Sequence, residues 1–185
     1  MSVANVEHPL VVVMGVSGAG KSTIGALVAD ALGTAFVDGD SLHPIANVHK
    51  MAAGTPLTDD DRWPWLAEVG RTLAGSANTG LVVACSALKR SYRDAIRAEA
   101  PNAVFLHLDG TRDVLSHRME GRTDHFMPTS LLDSQLATLE PLQHDEPGIV
   151  VSIDAAVPRI VTAAVDAIRS PSEHSRVVAP ASRTV

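Results

Sequence analysis

Short apolar runs alternate with longer amphipathic segments along most of the chain. Apolar runs rich in Val, Leu and Ile are typical of buried parallel strands, and they lie at Val11–Met14, Ala35–Val37, Leu81–Cys85, Val104–Leu108 and Ile149–Ile153. Apolar residues at helical spacing predict helices between them, over Lys21–Leu32, Ser41–Ala52, Asp59–Ser76, Leu88–Ala98, Thr111–Glu120, Thr129–Glu140 and Ala155–Ile168. Strands that alternate with helices predict βαβ units around a parallel sheet, which is the α/β class.

The alternation runs without an internal repeat or a linker to about residue 170, so we expect one domain over residues 1–170. A chain of 185 residues with 45% hydrophobic residues is long enough to bury a core of that size. Residues 171–185 are rich in Ser, Pro, Arg and Ala and show no periodicity. This composition predicts a flexible C-terminal tail.

The overall charge and the cysteine count limit the class of partner and the compartment. The formal net charge of -6 argues against a nucleic-acid partner. A single Cys excludes an internal disulfide, as expected in a reducing cytosol. Met1–His8 lacks a basic leader, and the apolar run that follows is too short to span a membrane. We therefore expect a soluble, cytoplasmic protein.

Residues Gly15–Ser22 match the pattern G-x-x-x-x-G-K-[ST] of the phosphate-binding P-loop. The motif follows a predicted strand and opens a predicted helix, which is the context that the chemistry needs. Backbone N–H groups of the loop and the N-terminus of the helix can surround phosphate oxygens. We expect Lys21 to reach the β- and γ-phosphates of a nucleotide and Ser22 to hold Mg²⁺.

Two carboxylates follow the second predicted strand, in Asp38-Gly39-Asp40. Carboxyl ends of parallel strands form the ligand-binding edge of such a sheet, so both acids are expected beside the P-loop. A kinase needs one acid near Mg²⁺ and another group that takes the proton of the attacking hydroxyl. Asp38 and Asp40 could divide these tasks, although a plain Asx turn before a helix would also explain the tripeptide.

Thr58 followed by three Asp residues predicts a helix start without any metal. Lys50 and Arg62 flank this start and could bind an anionic substrate, although each alone is also consistent with a solvated side chain. The third strand ends in Cys85 rather than a Walker-B Asp, which disfavours an ATPase or a switch GTPase. Asp109, after the fourth strand, is a competing metal-shell acid.

A basic, Gly-containing segment over about residues 119–128 predicts a mobile lid. Its Arg122 could stabilise charge on a transferred phosphoryl group after closure, and an ordinary basic loop is the alternative. His125 in this segment could contact a phosphate or pack as a ring, and we interpret it as a structural residue.

Together, these segments resemble the gluconokinases of the shikimate-kinase-like, nucleoside-monophosphate-kinase-like P-loop group. The resemblance runs from about Val11 to about Ile168. The matching stretches are Gly15–Gly25, Val37–Met51 (VDGDSLHPIANVHKM), Gly54–Leu66 (GTPLTDDDRWPWL), Cys85–Arg97 and Arg122–Glu140. The P-loop alone is unspecific, whereas the second and third strings are much more specific.

The resemblance implies an ATP- and Mg²⁺-dependent kinase that makes 6-phosphogluconate from D-gluconate. It implies a three-layer P-loop kinase fold with a mobile lid and a five-stranded parallel sheet in the order 2-3-1-4-5, and family members are commonly dimers. Nucleotide contacts would come from Gly15, Ser17, Gly18, Ala19, Gly20, Lys21, Ser22, Thr23, Arg118 and Pro158, the last two on the two faces of adenine. The resemblance implies that Lys21, Asp40 and Arg122 are the catalytic residues. It implies that Ser22 and Asp38 bind the metal. It implies that the substrate is bound by Asp40, His43, Lys50, Arg62 and Arg93.

Two other functions remain open at this point. Another small-molecule kinase of the same fold, acting on shikimate or a nucleoside monophosphate, would share most of these features. A nucleotide-gated switch is the second alternative, but a guanine-specific switch should carry an N/T-K-x-D segment, and none is found.

Overall fold

Six parallel strands form the central sheet of the protein, whose computed structural model describes residues 8–120, 129–170 and 176–178. The spatial order is β2-β3-β1-β4-β5-β6, and every neighbouring pair is parallel. The strands are β1 Leu10–Met14, β2 Ala35–Asp38, β3 Leu81–Ala84, β4 Val104–Asp109, β5 Gly148–Ser152 and β6 Arg176–Val178.

Helices cover both faces of this sheet and create two separate cores. They are α1 Lys21–Leu32, α2 Ile45–Ala52, α3 Asp59–Gly75, α4 Arg90–Glu99, α5 Arg112–Glu120, α6 Thr129–Thr138 and α7 Val157–Arg169. Alternate residues of β1 serve the two cores: Val11 and Val13 pack with α1 and α7, whereas Val12 and Met14 pack with α3 and α4. A strand buried on both faces explains why β1 is a continuous apolar run.

The predicted α/β class, three layers and the order of the first five strands are confirmed. The sheet also has a sixth strand that the sequence pattern does not predict, Arg176–Val178, which pairs parallel to β5. These three residues lie in the segment expected to be a flexible tail; the rest of that segment lies outside the described residues. The domain boundary at residue 170 stays a prediction.

The prediction of one helix over Ser41–Ala52 is wrong in its first part. Residues Gly39–Leu42 form a 3₁₀ turn, and α2 begins only at Ile45. Pro44 explains the interruption, because a proline disfavours helical backbone at the residue before it. His43 accordingly has extended backbone, with φ -65° and ψ 137°.

The carboxyl ends of β1, β2 and β3 lie side by side at one edge of the sheet. The register pairs Asp38 with Ala84 and Val13 with Ala84, so the segments after these strands meet there. The described helices are all too short or too polar to cross a lipid bilayer.

Candidate active site

The loop between β1 and α1 has the backbone conformation that the P-loop motif requires. Gly15, Gly18 and Gly20 have φ of 142°, 83° and 89°, which favour glycine. A Cβ on Gly15 would lie only 2.9 Å from the carbonyl oxygen of Leu108, so space also restricts this position. Because α1 begins at Lys21, the loop ends at a helix N-terminus, which favours bound anions.

The two polar side chains at the end of the motif make different contacts. Lys21 Nζ donates a hydrogen bond to the carbonyl oxygen of Val16 over 3.1 Å. Ser22 Oγ, which is exposed, donates to Oδ2 of Asp38 over 2.7 Å. Hydroxyl and carboxylate oxygens are ligands that Mg²⁺ prefers. The contact therefore favours Asp38 over Asp109 as the acid beside the metal, and Ser22 and Asp38 fit the expected site.

The turn after β2 combines the two interpretations that its sequence allows. Asp38 Oδ1 accepts a hydrogen bond from the backbone N–H of Asp40 (3.1 Å), as in an Asx turn. Its other carboxylate oxygen faces Ser22. Asp40 is exposed at the same strand end. Gly39 between them has no room for a side chain, since a Cβ would lie 2.4 Å from the carbonyl oxygen of Ala84.

Trp65 of α3 connects this helix to the turn after β2. Its indole Nε1–H donates to the carbonyl oxygen of Gly39 over 2.7 Å, in a buried hydrogen bond. Gly39 also lies close to the Ala84 carbonyl of β3, so the turn is next to both β3 and the indole. Asp40, the next residue, is thereby placed by both elements.

Three predicted substrate residues gather beside the turn. The His43 ring stacks on Trp65, with centroids 4.1 Å apart and an angle of 17° between planes. Burial lowers the pKa of His43; nearby Asp40 opposes this and nearby Arg62 adds to it. Asp40 and Arg62 therefore each lie within electrostatic reach of His43, and the ring is neutral near pH 7.

Arg62 lies half-buried one helical turn before Trp65. Its Nη2 donates to the carbonyl oxygen of Leu57 over 3.3 Å, and its guanidinium lies 5.9 Å from the centre of the Tyr92 ring. Tyr92 in turn donates its hydroxyl hydrogen to Asp59, which also binds Lys89. Contacts with a carbonyl and an aromatic ring orient this cation without neutralising it.

Lys50, by contrast, is already paired with a carboxylate. Its Nζ lies 2.6 Å from Oδ1 of Asp61. Hydrogen bonds from Lys50 and from the backbone N–H of Thr58 lower the pKa of Asp61 to about 2. Asp61 also completes the capping box with Thr58, which confirms the predicted helix start. A substrate anion would have to compete with this pair for Lys50, whose substrate role stays a prediction.

The structure contradicts a substrate role for Arg93. This side chain is 0% exposed and forms a two-pronged ion pair with Glu146, with N–O distances of 2.6 and 2.9 Å. Its Nη1 donates to the carbonyl oxygens of Ala87, Leu88 and Glu140. Burial alone would raise the pKa of Glu146, but the hydrogen bonds from Arg93 and Gln143 outweigh it and lower the pKa. Arg93 is therefore a structural residue.

Replacing Arg93 with Met is expected to destabilise the fold by about 3–5 kcal/mol, since Glu146 would be left as a buried, unpaired charge. Arg90 on the same helix is a matched control, because its ion pair with Asp145 is exposed. Arg90→Met should therefore cost far less. Urea unfolding of both variants measures the difference. A parental unfolding curve for Arg93→Met with a raised KM for the acceptor substrate would restore the substrate role.

The end of β3 supplies a thiol in place of the usual acid. Cys85 is buried, and burial raises the pKa of its thiol to about 12, although a backbone hydrogen bond and nearby Lys21 act in the opposite sense. The group is therefore a neutral thiol at physiological pH. It adds no charge beside Lys21 and no metal ligand.

A cleft of about 470 Å³ includes Arg118 in its lining, and Arg118 Nη1 would lie 3.6 Å from a Cβ on Gly20 of the P-loop. Its lining comprises Asp113, Val114, His117, Arg118, Ile153, Asp154 and Ala155. Arg118 Nη2 donates to the carbonyl oxygen of Ile153 over 2.6 Å. This bond places the guanidinium at the cleft. Pro158 is exposed in the first turn of α7, and its adenine contact, like the role of Thr23, stays a prediction.

Arg122, His125 and most of the predicted lid lie outside the described residues. The described part of the lid is the end of α5, where Met119 meets the P-loop. A Cβ on Gly18 would lie 2.8 Å from Met119 Cγ. The roles of Arg122 and His125 stay predictions.

Two side chains that contact the site, Trp65 and Gln135, were not predicted from the sequence. Trp65 has the spacing of a core residue in a helix, and its donor N–H gives no signal in the sequence. Gln135 does carry a signal, because it is a polar residue among Leu132, Leu136 and Leu139 at helical spacing. Its Oε1 accepts a hydrogen bond from the backbone N–H of Ser17 over 2.7 Å.

Comparisons with known proteins agree with this geometry. Residues 17–157 match the family model described as shikimate kinase. The chain is 42% identical over 172 residues to the thermoresistant gluconokinase of Escherichia coli (strain K12), covering 91% of this chain and 98% of that protein. It is 52% identical over 143 residues to the gluconokinase of Gluconobacter oxydans (strain 621H), covering 76% and 80%.

Solved structures give the same result. The crystal structure of a gluconokinase from Sinorhizobium meliloti 1021 is 48% identical, with a TM-score of 0.80 over 88% of this chain and 92% of that one. An APS kinase of Mycobacterium tuberculosis, at 19% identity and a TM-score of 0.61, shares the fold. Family model, relatives and structural neighbours are thus all of the P-loop kinase type. The chain belongs to the gluconokinase family, within the shikimate kinase-like group of P-loop proteins.

Proposed function

We propose that this protein transfers the γ-phosphoryl group of ATP to D-gluconate and forms 6-phospho-D-gluconate and ADP. The observation that carries this proposal is that the exposed carboxylate of Asp40 and the cation of Arg62 both lie within electrostatic reach of His43, and that both, with Lys21 of the P-loop, lie within reach of Cys85. Gluconate has a carboxylate at one end and a primary hydroxyl at the other. A site with a cation, a proton acceptor and a phosphate-binding loop matches both ends of this substrate.

The reaction requires one bond to form and one to break at phosphorus. The C6 hydroxyl oxygen attacks the γ-phosphorus, the bond to the β,γ-bridging oxygen breaks, and Asp40 takes the hydroxyl proton. Lys21 stabilises the charge on the transferred group, and Arg122 would do so from the predicted lid. Arg62 holds the carboxylate, with His43 lining the pocket and Lys50 as a helper.

Mg²⁺ would be held by Ser22 and Asp38, whose side chains are in contact. When bound, the ion neutralises charge on the phosphates. Within residues 8–120, 129–170 and 176–178, no group of three or more His, Cys, Asp or Glu could hold a metal. A site with few protein ligands fits Mg²⁺, which keeps several waters and binds with substrate phosphates. A cytoplasmic location and a homodimer stay predictions.

The test is an ATP-consumption assay over a panel of sugar acids, shikimate and nucleoside monophosphates. We expect gluconate to be the preferred acceptor, with a product of one added phosphate at C6 by ³¹P NMR. Faster phosphorylation of shikimate or of a nucleotide would overturn the proposal.

Replacing Arg62 with Ala is expected to raise the KM for gluconate by roughly 10–150-fold, which corresponds to a lost charge-assisted contact of about 1.5–3 kcal/mol. The value of kcat should change little, since the carboxylate lies far from the reacting phosphorus and its contact is similar in ground and transition states. Steady-state kinetics with gluconate as the varied substrate measures both parameters. Arg71→Ala, a surface change on the same helix, is the control. An unchanged KM for Arg62→Ala would show that another cation binds the carboxylate.

A further inference from the structure

One polar side chain interrupts the apolar face of α6. Leu132 is buried in the core on the α1 side of the sheet, and Leu136 and Leu139 pack against the same core. Gln135 falls on this face by its spacing. A polar group in such a position is unfavourable unless it forms a hydrogen bond. Its partner is the backbone N–H of Ser17, which is 118 residues away in the chain.

The peptide group between Val16 and Ser17 is held on both of its sides. Its N–H donates to Oε1 of Gln135 over 2.7 Å. Its carbonyl oxygen accepts from Lys21 Nζ over 3.1 Å and from the N–H of Ala19 over 3.2 Å. A trans peptide is planar and directs its N–H and C=O to opposite sides. Fixing the N–H on α6 therefore turns the carbonyl toward Lys21.

The position of α6 is itself fixed by neighbouring contacts. Arg112, at the start of α5, forms a two-pronged ion pair with Asp133 of α6, with distances of 2.7 and 3.0 Å. Buried Leu132 sits next to this ion pair in the chain. Gln135 is thus presented to the P-loop from a helix anchored by both polar and apolar contacts.

We propose that Gln135 is a positioning residue of the phosphate-binding loop, which fixes the Val16–Ser17 peptide and through it Lys21 for the bound nucleotide. Without the acceptor on α6, this peptide can rotate, and its carbonyl turns away from the Lys21 ammonium. The N–H groups that follow Ser17 then lose part of their fixed orientation toward the phosphates. The proposal rests on the proposed kinase reaction only in assigning the nucleotide phosphates to this loop.

Two substitutions separate the hydrogen bond from the shape of the side chain. Gln135→Met keeps the length of the side chain but removes the acceptor, whereas Gln135→Glu keeps an acceptor at the same place. We expect the Ser17 amide, observed by NMR hydrogen exchange, to be protected in the parent and in Gln135→Glu and to exchange faster in Gln135→Met. Ser134→Ala, an exposed change on the same helix, should leave this amide unaffected.

Nucleotide binding supplies the functional readout. We expect Gln135→Met to weaken ADP binding by roughly 3–10-fold in calorimetry, as for the loss of one hydrogen bond. The KM for ATP should rise by a similar factor while the KM for gluconate stays unchanged. Unchanged Ser17 exchange and ADP affinity in Gln135→Met would overturn the proposal. Equal changes in both KM values together with a lowered melting temperature would also overturn it, since they indicate a merely structural role.

The failure of the proposed reaction would look different. If the parent protein does not phosphorylate gluconate, the reaction assignment fails, yet ADP affinity and Ser17 exchange still test Gln135. The two hypotheses are therefore decided by separate measurements.

Discussion

Replacing Asp40 with Asn is expected to lower kcat for gluconate by roughly 10²–10⁴-fold, the usual contribution of a general base. Asn has nearly the same shape but cannot accept the hydroxyl proton at neutral pH. The affinity for ATP should stay nearly unchanged, because Ser22 binds Asp38 rather than Asp40. Initial rates at saturating ATP measure kcat, and a separate ATP titration measures affinity.

The control for Asp40 is an acid of the same type away from the strand ends. Asp30→Asn changes an exposed residue near the end of α1 and should keep parental kinetics. Normal turnover of gluconate by Asp40→Asn would show that another group takes the proton. A large loss of ATP affinity would instead place Asp40 among the residues that bind the metal.

Replacing Lys21 with Ala is expected to lower kcat by roughly 10²–10³-fold while the protein stays folded. Lys21 is the cation expected to stabilise the charge on the phosphoryl group during transfer, and no other described side chain replaces it in the loop. Its contact with Val16 is only part of the support of that peptide, since Ala19 and Gln135 also hold it. The melting temperature should therefore change little, and near-parental kcat in a folded variant would refute the role.

The sequence predicted the elements whose physical cause is local. The apolar run of β1, the glycines of the P-loop and the Thr58 cap each act within a few residues, and each appears where it was expected. The periodicity around Pro44 predicts one continuous helix after β2, but the effect of the proline on the residue before it interrupts that helix. The sequence pattern does not predict the sixth strand, because Arg176–Val178 is only three residues long. Its strand conformation depends on pairing with β5.

The candidate site could be predicted where a sequence motif determines both the residue type and its position in the fold. Ser22 and Asp38 were expected to act together, and they are in contact. The predicted substrate role of Arg93 is wrong because its place in a family motif does not indicate whether its side chain is buried or exposed. Its carboxylate partner, Glu146, lies 53 residues later in the chain, and only the tertiary fold brings the two together.

The link between Trp65 and Gly39 has a consequence for the length of the substrate. Arg62 and Trp65 lie on the same helix, and the indole binds the carbonyl of Gly39, the residue next to Asp40. If Arg62 and Asp40 bind the two ends of the acceptor as proposed, this link between α3 and the turn limits the length of the acceptor. The site would then select sugar acids by the length of their carbon chain. A five-carbon acid held by its carboxylate would leave its terminal hydroxyl one bond short of the base.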